Sequence, residues 1–155
     1  MNGTTINSAY NINTMSYTQL ECQLKPGAKL PERAHHSDAG ADLFAYESLE
    51  IYPNEQKLVD TGIAIKIPHG FGGFVYNRSS QGKKHITIPH SVGVIDSGYR
   101  DTIKVLLRNI GDDVYKITTG DRIAQLVIKK VELTGFKDIW NDSTRGTGGF
   151  GSTGT

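Results

Sequence analysis

Apolar and polar residues alternate along this chain in short runs with the two-residue period of a strand, and nowhere with a sustained helical period. The alternation is clearest at Ile63, Ile65 and Ile67 and again at Ile103, Val105 and Leu107. Runs of strand type cover residues 19–24, 43–46, 58–61, 63–67, 73–76, 103–108, 114–117 and 123–131. Pro26, Pro31, Pro53, Pro68 and Pro89 fall between these runs or at their edges, where a missing ladder donor does no harm. Residues 79–84 have room for a single helical turn. Many short strands with closely spaced turn signals predict an all-β fold, either a barrel or a jelly-roll-like sandwich.

The two ends lack this texture. Residues 1–16, rich in Asn, Thr and Ser, read as a disordered leader, with Met15 as an alternative start. The barrel domain is expected over 17–133, followed by a connector and arm over 134–155. Phe136 and Trp140 lie on the connector, where an aromatic needs a surface, either the chain's own barrel or a neighbouring subunit. The last eleven residues hold five glycines. Such a tail is either a flexible linker or a ligand-closing arm, since glycines let backbone N–H groups converge on phosphate oxygens. Arg145 adds a forked cation, Ser152 and Thr153 add hydroxyls, and Phe150 adds a stacking face, which favours the arm.

Composition narrows the partners. Seventeen basic against sixteen acidic residues leave a net charge of +1, so no global field draws the chain to nucleic acid or an anionic membrane. Any phosphate recognition must be local. The single cysteine, Cys22, excludes an intramolecular disulfide and a cysteine-built metal site. No segment is long and apolar enough to span a bilayer, and a cytoplasmic setting, or the interior of an infected cell, is expected.

Four further segments place polar groups among glycines. Asp42, in 39–43, sits between small residues, as an ordinary turn aspartate or as a carboxylate that an ion approaches closely. Arg78, Ser79 and Ser80 follow a strand, as an exposed turn with a serine N-cap or as a phosphate clamp at a helix start. Asp96, in 91–100, follows an apolar pair and precedes a Ser-Gly turn, which predicts a hairpin with the carboxylate at its mouth, as a turn residue or as a general base on water. Tyr99 is a core aromatic or a wall against a sugar. In 120–127, if Ile123, Gln125 and Val127 share a face, Gln125 interrupts an apolar stripe and needs a polar partner.

In order, these five segments resemble the five motifs of the trimeric dUTP pyrophosphatases, a likeness running from about residue 24 to residue 154. The resemblance implies a jelly-roll-like β-barrel with a flexible glycine-rich C-terminal arm, a homotrimer with active sites shared between subunits, and no nucleic-acid or membrane partner. It implies hydrolysis of dUTP to dUMP and pyrophosphate with Mg2+, which keeps uracil out of DNA and supplies dUMP for thymidylate synthesis. By the same resemblance Asp96 would activate the attacking water, Tyr99 would exclude a ribose hydroxyl, and Gly93, Val94, Ile95 and Lys104 would read the uracil. Arg78, Ser79, Ser80 and Gln125 would hold phosphate oxygens, and Asp42 would reach Mg2+ through water. Arg145, Phe150, Gly151, Ser152 and Thr153 would close over the substrate.

The sequence departs from the family pattern at His90, where asparagine is usual near the water, at Asp101, usually glycine, and at Gln81, usually apolar. Two alternatives belong to the same fold. A dCTP deaminase would need a glutamate where Leu106 stands, and a regulatory protein of the kind some phage relatives form would favour a long insertion that residues 100–120 do not contain.

Overall fold

Both predicted stripes are buried: Ile63, Ile65 and Ile67 on one side of the chain and Ile103, Val105 and Leu107 on another point into a single apolar core. The computed structural model describes residues 19–141, 143 and 144. The leader 1–16, Met15 and the arm residues from Arg145 onward lie outside them.

Among the described residues, eleven strands and one helical turn follow in order. They are β1 (Cys22–Leu24), β2 (Ala41–Phe44), β3 (Leu49–Ile51), β4 (Gln56–Asp60), β5 (Ile63–Ile65), β6 (Phe71–Tyr76), α1 (Ser79–Gly82), β7 (Ile86–Thr87), β8 (Gly93–Ile95), β9 (Lys104–Asn109), β10 (Tyr115–Ile117) and β11 (Arg122–Lys130). Each of the eight predicted runs overlaps one strand, and all five prolines lie outside strands. β3, β7 and β8, two or three residues long, have no counterpart among those runs.

All pairings are antiparallel. They form four small sheets, β1-β5, β3-β10, β2-β11-β6-β8 and β4-β9-β7, rather than one continuous hydrogen-bonded cylinder. Leu43, Ile51, Val59, Ile63, Ile86, Leu107 and Ile123 are almost completely buried between them. The segment at Asp96 is not a hairpin of two paired strands, because β8 pairs with β6 while β9 pairs with β4 and β7. The turn, closed by Tyr99 N–H to Asp96 C=O at 3.1 Å, carries the chain from one sheet to another.

β11 departs from simple alternation. Its register against β2 slips between Arg122, opposite Phe44, and Ala124, opposite Leu43. The extra residue is Ile123, and this bulge lets Ile123 and Ala124 both enter the core. Ile123 therefore does not share a face with Gln125 and Val127. Gln125 stands on the outer side of the sheet, half-buried, and interrupts no core stripe.

Asp60 closes β4 with a compact charge cluster. Its carboxylate accepts Lys25 Nζ at 2.6 Å and the Gly62 N–H at 2.8 Å. Gly62 itself has φ of 68°, and a Cβ there would lie 2.6 Å from the Tyr46 ring, so the turn into β5 requires glycine. Burial pushes the Asp60 carboxyl up, but the hydrogen bonds from Lys25 and Gly62 outweigh it and hold the group below the ordinary carboxylate value.

Because the folded value is depressed, the stabilisation is complete above the ordinary carboxylate value and is lost as pH falls through the folded one. Asp60→Asn should lower Tm near neutrality by about 3 °C, and the gap to the parent should close as melts are run down to about pH 3. Leu107→Ala, at a position with no exposure, should cost about 2–5 kcal/mol in denaturant titration at any pH where the protein folds.

Candidate active site

Strand register brings three of the predicted segments together. Gln125 on β11 stands opposite Asp42 on β2 and opposite Tyr76 on β6. Arg78 follows two residues beyond Tyr76 and turns back over Asp42. Arg78 Nε donates to Asp42 Oδ1 at 2.7 Å and Nη2 to Oδ2 at 3.4 Å, a forked pair. Arg122 Nη1 stands 3.6 Å from the same Oδ2. Asp42 retains 15% side-chain exposure and Arg78 22%, so their pair is partly desolvated.

Around it opens a cleft of about 370 Å³ whose lining includes Asp38, Gly40, Asp42, Arg78, Ser79 and Gln125. Gln125 Nε2 donates to the Asn77 carbonyl at 3.0 Å, which fixes its amide at the cleft floor. Gly40 leaves that amide its space, since a Cβ there would lie 2.5 Å from Gln125 Oε1. Ser79 is exposed at the lip, while the Ser80 hydroxyl accepts Arg78 Nη1 at 3.1 Å and steadies the guanidinium. The N-cap of α1 is Arg78 and not a serine, with no side-chain cap bond. A guanidinium, an amide and an exposed hydroxyl on one wall suit phosphate oxygens. For a cation the cleft supplies little: no group of three acidic, His or Cys side chains able to hold a metal occurs among the described residues. Asp42 and Asp38 fit only a hard ion whose remaining ligands are water and phosphate, the habit of Mg2+.

Of the other predicted residues, Gly93, Val94 and Ile95 line β8 along β6, Asp96 follows at the far end of that sheet, and Lys104 opens β9 in another sheet. Ile95 of β8 stands opposite Gly73 of β6, which sets the exposed Asp96 beside the Gly72 end of that strand. Arg78 lies six residues further along, roughly 20 Å at about 3.3 Å per residue. One chain therefore does not bring Asp96 to the cleft. β8 is an edge strand, so one row of its backbone N–H and C=O groups is unpaired, and Val94 is 62% exposed. Gly93 lies close to β6, where a Cβ would meet Val75 Cβ at 3.2 Å. His90 Nδ1 lies 3.0 Å from the Val92 carbonyl, which orients its ring beside Gly93.

Tyr99 is 38% exposed, so it is not a core aromatic, and its hydroxyl donates to the Thr102 carbonyl at 3.1 Å. Lys104 Nζ lies 2.8 Å from Asp101 Oδ2, and Asp101 Oδ1 accepts the Thr102 N–H at 2.7 Å. The hydrogen bond from Lys104 holds the Asp101 carboxyl below its ordinary value, and the reverse contact raises the Lys104 ammonium. Asp101 thus tethers Lys104, a role no local pattern announced. Arg122 as second cation on Asp42, and the burial of Gln81, were equally unmarked.

A family model described as dUTPase matches residues 27–154. The chain belongs to the dUTPase family. The deoxyuridine 5'-triphosphate nucleotidohydrolase of Thermobifida fusca (strain YX) is 46% identical over 136 residues, covering 85% of this chain and 76% of that protein. The one of Clostridium kluyveri is 48% identical over 131 residues, covering 83% and 92%. Among solved structures, a mutant dUTPase of Staphylococcus bacteriophage 80alpha with dUpNHpp superposes with a TM-score of 0.78 at 30% identity, covering 90% of this chain and all of that one. A mutant dUTPase of phage phi11 of S. aureus, described with a structural Mg(II) ion, gives 0.74 at 27% identity, covering 83% and 99%. The dUTPase chain described here is accordingly a hydrolase of that class with the jelly-roll-like all-β fold of those neighbours.

Gly40→Ala should still fold, with a small loss of melting temperature, because the atom it displaces ends a flexible side chain that gives up its bond to the Asn77 carbonyl. It should weaken pyrophosphate binding by about tenfold in calorimetry, since the Gln125 amide then leaves the cleft floor.

Proposed function

We propose that this dUTPase hydrolyses dUTP to dUMP and pyrophosphate in a site completed only between subunits of a homotrimer. The observation that carries the shared site is the separation of Asp96 from the Arg78–Asp42 cleft, roughly 20 Å along β6. A base on one surface and a phosphate clamp on another can serve one substrate when neighbouring copies place them face to face. The exposed connector supports the same reading. Phe136 is 95% and Trp140 88% exposed, so neither packs on its own barrel, and a neighbouring subunit is the surface left to them.

Within that site Asp96, exposed and beside the edge strand, would take the proton of the water that attacks the α-phosphorus. The unpaired backbone row of β8 would read the uracil edge, with Lys104 held near it by Asp101 and His90 beside Gly93. Tyr99, braced by the Thr102 carbonyl, would leave no room for a 2′-hydroxyl. Arg78, Ser79, Ser80 and Gln125 would grip α- and β-phosphate oxygens. Mg2+ would neutralise triphosphate charge, held mainly by the substrate with Asp42 reaching it through water. Arg145, Phe150, Gly151, Ser152 and Thr153 would close over γ-phosphate, base and reaction centre, and exclude water. The product dUMP would feed thymidylate synthesis, while removal of dUTP keeps uracil out of DNA.

Asp96→Asn should lower kcat about a thousandfold with KM little changed, because an amide cannot accept the proton. Near-normal kcat would assign the base elsewhere. A chain truncated before Arg145 should also be nearly inactive. Mixed trimers of that chain with full-length Asp96→Asn should recover part of the activity, since one copy supplies the carboxylate and another the arm. No recovery in verified mixed trimers would refute an arm acting between subunits. Asp42→Ala should flatten the Mg2+ titration of rate, and an unchanged titration would leave Asp42 as the partner of Arg78 only.

A further inference from the structure

The turn that carries Arg78 and Ser79 has little to hold it locally. α1 is four residues long, with Gln81 and Gly82 N–H groups bonded to the Arg78 carbonyl at 3.0 and 3.2 Å and no side-chain cap. One turn pays the cost of helix nucleation without the return of propagation, so its orientation must come from tertiary contacts. Its one buried residue is Gln81, at 3% exposure. Both ends of that amide are used. Oε1 accepts the Tyr115 hydroxyl at 2.7 Å from β10, and Nε2 donates to the Arg122 carbonyl at 3.1 Å on β11. The same carbonyl accepts Arg78 Nη1 at 3.4 Å, so Gln81 and Arg78 are referenced to one backbone atom. Lys84, just beyond the turn, sets its ammonium 5.7 Å from the Tyr115 ring centroid. Burial pushes the Tyr115 hydroxyl up, which keeps it a neutral donor through the physiological range.

We propose that Gln81 is a positioning residue for phosphate binding, its amide tying α1 to Tyr115 and to the Arg122 carbonyl so that Arg78 and Ser79 face the cleft in one fixed attitude. A side chain of similar volume without the amide would fill the space but leave the turn free to tilt, because dispersion contacts carry no direction. It would also strand the Tyr115 hydroxyl and weaken the shared reference to Arg122. The inference rests on the reading of Arg78 and Ser79 as phosphate ligands.

The test uses full-length protein with Gln81→Leu, Tyr115→Phe, the double variant, and Arg78→Ala as control. Binding of dUpNHpp and of deoxyuridine is followed by calorimetry, alongside kcat, KM and melting temperature. Each single change should weaken dUpNHpp by about fivefold, the loss of one ordinary hydrogen bond, and raise KM to match. Affinity for deoxyuridine, which has no phosphate, and kcat should stay within about twofold. The double variant should be no worse than the weaker single, since both changes break one device. Normal dUpNHpp affinity in Gln81→Leu and Tyr115→Phe, with Arg78→Ala impaired, would overturn the positioning role and leave the phosphate reading standing. Normal affinity in Arg78→Ala would remove that reading and the inference with it. Equal loss of deoxyuridine and dUpNHpp would mark general loosening of the fold and also overturn the role. If Gln81→Leu does not fold, Tyr115→Phe, which deletes one hydroxyl, decides alone.

Discussion

The bulge in β11 sets the geometry on which the cleft depends. β11 is held along both edges, by four pairs against β2 and six against β6. Inserting Ile123 lets two consecutive residues, Ile123 and Ala124, anchor the strand in the core. It also fixes which way Gln125 points. With that phase, Gln125 meets Asp42 on one neighbour and Tyr76 on the other, and Arg78 arrives beside them as the continuation of β6. A slip of one residue would send the amide into the core and Leu126 into the cleft. The polar chemistry of the site is thus placed by burial of apolar residues on the opposite face of the same strand, which is the larger energy and the more strictly specified one.

That dependence explains what could be read from the chain and what could not. The stripes at 63–67 and 103–107 were legible because period-two burial is a local property. Asp42, Arg78, Ser79 and Gln125 each stood out singly as candidates against an apolar or glycine-rich background, and the family resemblance grouped them into one site. β3, β7 and β8 were not legible: unlike β5, which continues into the apolar Ile67, they are short and flanked by turn residues that cut any period off. The bulge was hidden too: Ile123, Gln125 and Val127 look like one stripe until the pairing with Phe44 and Leu43 is known. Gln81 finds its partners 34 and 41 residues away, and no local pattern can announce such a bond. Asp96 looked like a hairpin tip because its neighbours are turn residues, but strand partnership is decided by competition among all edges, and β6 took β8 before β9 could.

Charge in the site is balanced before any substrate is considered. Arg78 is forked on Asp42, and Lys104 is tied to Asp101. Such pairs contribute little to stability where water reaches them, as at Lys104 and Asp101, both outside the core. Their use is geometric. A long cation freed from solvent loses rotamer entropy when it meets an anion, and one already fixed by a carboxylate loses less. Asp42 also keeps Arg78 from being an isolated, partly buried charge, the costlier alternative. In the proposed site, polyphosphate entering the cleft would meet a guanidinium whose direction is set by Asp42, Ser80 and the Arg122 carbonyl together.

The distance along β6 is the constraint that the proposed site has to meet. A single sheet displays the clamp at one end and the carboxylate at the other, and no rotamer of either side chain crosses roughly 20 Å. Two remedies exist: a large internal rearrangement, or a second copy. The strands between the two ends carry the core, with Val75, Ala124 and Leu126 all buried, so folding the sheet on itself would expose the residues that stabilise it. Association costs only surface, and this chain presents apolar surface on a connector whose Leu133, Phe136, Ile139 and Trp140 are each more than half exposed. Rigidity of the sheet and exposure of the connector therefore point the same way. The fold keeps the proposed catalytic parts apart within one chain, and a symmetric assembly is the arrangement that would bring them together.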